Sequence, residues 1–222
     1  IVATGASAAV PGAWKVDGEK VVTYLEAILQ EKLPKSAIVI GSGAIGVEFS
    51  TVWNSYGVDV TVVEMLPRLI PLEDEEVSKE LKKEFEKRGI KCLVGNKVES
   101  VEATAKGVKV KVSAEGKETT LEAEQALVAI GFRPNSKGLG LEEVGVKINE
   151  RGFVEINEKM QTSVPNIYAI GDVTGKLMLA HVGSAMGIVA AENIAGAETV
   201  TLDYEMMPRA THSPPQYATS GP

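Results

Sequence analysis

The sequence predicts an α/β protein in which a parallel sheet is flanked by helices and carries a small antiparallel meander. Three observations lead there. First, residues 37–40 and 126–131 are short, nearly unbroken apolar runs, and residues 58–64 are rich in β-branched Val and Thr. Such runs suit strands buried on both faces, as in parallel sheets covered by helices. Second, Ile38-Val39-Ile40 leads directly into Gly41-Ser42-Gly43-Ala44-Ile45-Gly46 and then a helical pattern. Third, residues 97–104, 108–113 and 118–122 alternate apolar and polar side chains and are separated by Lys106-Gly107 and Glu115-Gly116. That is the pattern of antiparallel strands with one wet face.

Composition sets the outer limits. The 222 residues suffice for one large or two small domains. At 44% hydrophobic and 24% charged, the chain has the make-up of an ordinary globular protein. No apolar run reaches the ~18 residues of a membrane span, and no signal peptide is recognisable. The expected location is the cytoplasm, or the mitochondrial matrix in a eukaryote. A formal net charge of −7 argues against nucleic acid or an anionic membrane as partner. It leaves room for an anionic cofactor, because backbone dipoles bind phosphate locally. The one cysteine, Cys92, excludes an intramolecular disulfide, a dithiol pair or a cysteine-rich zinc site. It sits in a strand-like run and reads as structural; no metal ligands are expected.

In chain order, Ile1-Val2-Ala3-Thr4-Gly5 is strand-like and carries no start methionine. Residues 21–30 read as a helix capped by Asp17, and Pro34 ends it before the first buried strand. After the glycine turn a helix runs over 47–56 to Gly57, and the strand 58–64 follows. Residues 65–72 form a loop with Pro67 and Pro71. Residues 74–88 are an amphipathic helix with Val77, Leu81 and Phe85 on one face and a solvated charged face opposite. A strand over 90–94, the meander and the strand 126–131 come next. The glycine-rich stretch 132–149 marks a domain boundary. Residues 157–165 are a loop, 167–172 a strand ending in Gly171-Asp172, and 182–195 a helix of small residues. A proline-rich tail begins at Tyr204.

The glycine spacing is G-x-G-x-x-G between strand and helix, the fingerprint of a dinucleotide-binding Rossmann-like βαβ unit. Gly41 permits the tight turn, Gly43 lets backbone approach a pyrophosphate, and Gly46 lets helix and sheet pack closely. The helix N-terminus presents free N–H groups and partial positive charge to the phosphates. Glu64 ends the second strand about 20 residues beyond the loop, where a carboxylate takes the adenosine ribose hydroxyls. A carboxylate there repels a 2′-phosphate, so NAD is expected over NADP. A second constellation follows: Gly171-Asp172 at a strand end, then Met178-Leu179-Ala180-His181 opening a helix. It suits a flavin, with the acid on ribityl or ribose hydroxyls and helix N–H groups on electron-rich ring atoms.

Together these motifs resemble the flavin-dependent pyridine nucleotide-disulfide oxidoreductases, specifically the middle of the dihydrolipoamide dehydrogenases. The matching pieces are Ala3-Thr4-Gly5, Gly41 to Phe49, Val63-Glu64, Ile130 to Asn135, Thr162 to Val173, and Met178-Leu179-Ala180-His181. The resemblance implies that Gly41, Ser42, Gly43, Ala44, Ile45, Gly46, Val47 and Glu48 wrap the NAD pyrophosphate, with Glu48 near the nicotinamide. Glu64 would hold the ribose, Val98 would touch adenine, and Gly131 would line the nicotinamide side. Thr4, Gly5, Ala6, Asp172, Met178, Leu179, Ala180 and His181 would contact FAD; Ala6 stands where the family usually has Ser. His181 is flavin-adjacent in the family and is given no acid–base role.

The resemblance also implies a reaction in which electrons pass from a dithiol through a cysteine pair and FAD to NAD. It implies a homodimer within a 2-oxo acid dehydrogenase complex. Neither the cysteine pair nor the family's catalytic His-Glu pair is found in these residues, so no catalytic residue is assigned. The chain reads as an internal fragment. Residues 1–10 and 135–203 would belong to an FAD domain, 11–134 to the NAD-binding domain, and 204–222 to the start of a dimerisation domain. A non-catalytic NAD-binding module is the alternative from another class. A related NADH oxidase or NADPH disulfide reductase is the alternative among enzymes.

Overall fold

The computed structural model describes residues 1–221, which form two compact units. The first combines Ala8–Gly131 with Ala210–Ala218; the second combines Ile1–Ser7, Phe132–Arg209 and the last residues from Thr219.

The first unit is built on a five-stranded, all-parallel sheet. Its strands are β2 (Val21–Val22), β3 (Ser36–Ile40), β4 (Asp59–Glu64), β5 (Lys91–Val94) and β9 (Gln125–Val128), in the order β2-β9-β3-β4-β5. Period-two alternation divides the strands' side chains between two cores. Val39, Val60, Val62 and Leu127 pack with Val47, Trp53, Leu81 and Phe85 under α1 (Tyr24–Leu29), α2 (Ala44–Ser55) and α3 (Glu75–Lys87). Ile38, Ile40, Val63 and Val128 pack against the meander β6 (Lys97–Thr104), β7 (Gly107–Ala114) and β8 (Lys117–Ala123), through Val101, Val108, Val110 and Val112. Both sheet faces are covered, which is why β3 and β9 read as nearly continuous apolar runs rather than alternating ones. The meander is antiparallel, with a register shift between Val98 and Ser100.

Residues 21–30 depart from the single helix expected. Val21 and Val22 pair in parallel with Ala126 and Leu127, and the helix starts only after Thr23. Thr23 and Glu26 form a capping box. Two β-branched residues completely buried beside a sheet edge gain more from the ladder than from a helical turn. Asp17 caps no helix. Its Oδ1 accepts from the amides of Glu19, Lys20 and Val21. Burial raises its pKa, and those backbone donors outweigh burial and hold it below the usual value.

The second unit has little regular sheet. β1 (Ala6–Ala8) pairs with β10 (Phe132–Pro134), and the main helix is α4 (Ala180–Ala195). The strand expected over 167–172 is not a continuous ladder. Ala169 bridges Val2, Tyr168 bridges Gln161, and Gly171–Thr174 wind into a 3-10 turn. Isolated bridges leave no repeated partner along the segment, so its backbone bonds scatter among Val2 and Met160. Two small cores hold this unit, one around Val146, Val154 and Val173 and one around Met160, Val182 and Met186.

The proline-rich tail is structured as well. β11 (Arg209–Thr211) pairs with β12 (Tyr217–Thr219), and Tyr217 packs on the helix-side core of the first unit. Burial pushes the Tyr217 phenol up to about 12. Among the described residues no helix is long and apolar enough to cross a membrane. Nor is any group of three or more His, Cys, Asp or Glu placed to hold a metal. Cys92 is half-buried in β5, and burial pushes its thiol up to about 12, so it is an inert packing group near neutral pH.

Candidate dinucleotide site

The three glycines of the fingerprint sit at the carboxyl end of the parallel sheet, and each meets a different constraint. Gly41 has φ +100, and a Cβ there would lie 2.3 Å from the Ala129 carbonyl oxygen. The turn therefore needs a left-handed residue and a close passage beside the end of β9. Gly46 has ordinary helical backbone, but a Cβ would come within 2.0 Å of the Gly41 carbonyl oxygen. Gly43 meets nothing within 4 Å. It is the N-cap of α2, and no side chain caps that helix. Its missing side chain leaves open space over the first-turn amides, which a bound anion fits.

Ser42 is completely buried between the two outer glycines. Its amide (2.9 Å) and its hydroxyl (2.8 Å) both donate to Oε2 of Glu64. Oε1 of Glu64 accepts from the Leu66 amide at 2.8 Å. Only 9% exposed, the Glu64 side chain is thus oriented on both oxygens. Buried carboxylates require such donors. The Glu64 carbonyl accepts from the Asn96 amide, which ties the end of β4 to the start of β6 and brings Val98 to the same end of the sheet. Val98 is half-buried at the register shift. Gly131, exposed at φ +118, lies just beyond β9, next to the Ile130 amide that Gly41 approaches.

Ala44 and Ile45 form the first turn of α2, Val47 is buried in the helix-side core, and Glu48 is half-buried one turn on. Oε1 of Glu48 accepts from the His212 amide at 2.8 Å. The hairpin 209–219 thereby reaches the second turn of the glycine-loop helix. That contact, the capping box and the Ser42–Glu64 pair were not foreseen from the sequence. The His212–Glu48 and Ser42–Glu64 contacts join residues whose separation follows no local period, whereas Thr23-x-x-Glu26 has the local spacing of a capping box.

The residues expected at a flavin lie in the second unit. The Thr4 hydroxyl donates to the Asn135 carbonyl (2.7 Å), and the Asn135 amide to the Gly5 carbonyl (2.9 Å). Ala6 opens β1. Asp172 lies in the 3-10 turn, and a Cβ on Gly183 of α4 would be 3.5 Å from the Gly171 Cα, so turn and helix are in close contact. Met178 is exposed, Leu179 is the N-cap of α4 with no side-chain cap, and Ala180 begins the helix. His181 Nε2–H donates to the Pro208 carbonyl at 2.9 Å.

The profile of the pyridine nucleotide-disulphide oxidoreductases matches residues 1–187. The chain belongs to that family. Membership implies a flavin and a pyridine nucleotide. A dihydrolipoyl dehydrogenase of Mycobacterium leprae is 54% identical over 223 aligned positions, covering 100% of this chain and 47% of the relative. One from Corynebacterium glutamicum is 51% identical over 91% of this chain and 44% of its own length. Among solved structures, LpdA of Mycobacterium tuberculosis superposes with a TM-score of 0.91 at 33% identity, over 98% of this chain and 47% of that one. The flavoprotein disulfide reductase RclA of Escherichia coli gives 0.86 at 25% identity, over 97% of this chain and 49% of that one. The chain spans about half the length of the curated relatives it matches.

Proposed function

We propose that this chain is the pyridine-nucleotide-binding part of a dihydrolipoyl dehydrogenase, with NAD as its nucleotide. The observation that carries this is the open N-terminus of α2 above Gly43, with the buried Glu64 carboxylate beside it. The pyrophosphate would lie on the first-turn amides of Gly43 to Gly46, and the adenosine ribose against Glu64. Val98 would border the adenine; Glu48 and Gly131 would border the nicotinamide. The nicotinamide supplies the hydride acceptor, and these side chains only bind and orient it. Thr4, Gly5, Ala6, Asp172 and Met178 to His181 would contact FAD in the longer protein, where a dithiol is oxidised and NAD reduced. In that protein the chain would be part of a homodimer within a 2-oxo acid dehydrogenase complex. With Cys92 as its one cysteine, this chain alone should not turn over a dithiol.

Fluorescence titration with NADH and NADPH tests the assignment. NADH should bind at least ten-fold tighter, since a 2′-phosphate would face an anionic, low-dielectric Glu64. Glu64→Ala should bring the two affinities together. Equal binding by the unmodified chain, or none, would overturn it.

A further inference from the structure

We propose that Ser42 is a positioning residue that acts through Glu64, fixing the carboxylate so that one oxygen stays available to a ribose hydroxyl. The inference rests on the ribose role given to Glu64 above and goes one step deeper. The Ser42 hydroxyl has no outlet except that carboxylate: it is completely buried, and its proton is directed at Oε2 from 2.8 Å. The Ser42 amide converges on the same oxygen. Two donors on Oε2 and one, from Leu66, on Oε1 account for three of the roughly four acceptor positions of a carboxylate. The fourth belongs to Oε1. Glu64 is therefore built to take one further hydrogen bond, in a direction set by the other three.

The backbone of Ser42 is held independently of its hydroxyl. Its amide donates to Glu64, and its carbonyl accepts from the Ile70 amide at 3.0 Å. Flanking it, the Gly41 amide donates to the Val63 carbonyl. Removing the hydroxyl should leave the glycine loop in place and leave Glu64 with one backbone donor on each oxygen, so that the buried carboxylate shifts to satisfy the acceptor position Ser42 vacates. Pyrophosphate binding at the α2 N-terminus would then survive, while recognition of the ribose would not.

The test compares NADH with its 2′-deoxyadenosine analogue, titrated into the full 222-residue chain and its Ser42→Ala variant. The unmodified chain should prefer NADH by about ten-fold, the size of one hydrogen bond to a charged acceptor. In Ser42→Ala the preference should fall to within two-fold, with the analogue's own affinity unchanged within two-fold. A loop that merely loosened would weaken both ligands equally and keep the ratio, and that result overturns the inference. Ser42→Gly, which lacks the same hydroxyl and adds no atoms, takes the place of Ser42→Ala should the latter fail to fold. Glu64→Gln separates the two levels. If it abolishes the preference while Ser42→Ala and Ser42→Gly keep it, Ser42 has no positioning role and the ribose assignment stands. If Glu64→Gln keeps the preference, or the unmodified chain has none, the ribose assignment and the Ser42 inference fall together.

Discussion

Gly43 and Gly46 look alike in the sequence, and the structure separates them. A Cβ on Gly46 would collide with the Gly41 carbonyl, whereas a Cβ on Gly43 would stand in open space on backbone of φ −68 that any residue adopts. Gly46→Ala should therefore cost about 1–3 kcal/mol of stability, the usual size of an overpacked contact, and disturb the loop with it. Gly43→Ala should unfold within about 0.5 kcal/mol of the unmodified chain, since a small entropic gain offsets the poorer cap. It should still lose NADH affinity, because the methyl group stands where the phosphates would lie. Urea denaturation alongside NADH titration checks this, and equal stability of the two variants would contradict it. The sequence pattern located the loop and Glu64 because strand, turn, helix and strand follow one another locally. It did not reveal that Ser42 and Leu66 hold Glu64, since that depends on how two loops fold over the carboxyl end of the sheet.

At the level of elements, long periodic segments were legible and short ones were not. The helix from Glu75 to Lys87 buries Leu81 and Phe85 as its spacing foretold, and Gly89 follows at φ +84. Val21-Val22 was misread because two apolar residues carry no period, and only β9 decides that they are strand. The short helix that follows, Tyr24–Leu29, depends on its cap. The Thr23 hydroxyl donates to Glu26 at 2.6 Å, and the Thr23 amide donates to the same oxygen at 2.7 Å. The Thr23 hydroxyl bond, then the backbone bond, hold the Glu26 carboxyl below its usual 4.5 against the opposing effect of burial. A depressed folded-state pKa means that the stabilisation is complete above 4.5 and fades as pH falls through the folded value. Thr23→Ala should cost about 1 kcal/mol at pH 7, and less at pH 3.5. A Glu26→Gln background should show no such pH dependence. A cost that stayed constant with pH in the Glu26 background would sink the assignment of the cap to the ionised carboxylate.

At the scale of the whole molecule, the two units differ in how their backbones are satisfied. In the first, β3 and β4 are paired on both sides and buried between helices and meander. In the second, no strand among the described residues exceeds three residues, and the cores around Val154 and Met186 are small. Local opening free energies follow buried apolar contacts and protected backbone bonds, so the second unit should open at lower denaturant. The chain itself provides separate reporters. Its two tryptophans, Trp14 and Trp53, both lie in the first unit, while the longest helix, Ala180–Ala195, lies in the second. Helical circular dichroism should therefore begin to fall before tryptophan fluorescence changes in a urea titration. Amides of Ala169 and Ile170 should also exchange faster than those of Val39 and Val62. Superimposable dichroism and fluorescence curves would mean that one cooperative core spans both units. NADH should shift upward the fluorescence transition and the later dichroism loss from α1, α2 and α3, and leave the early loss from Ala180–Ala195 unmoved, by the linkage expected of a ligand held by the first unit alone.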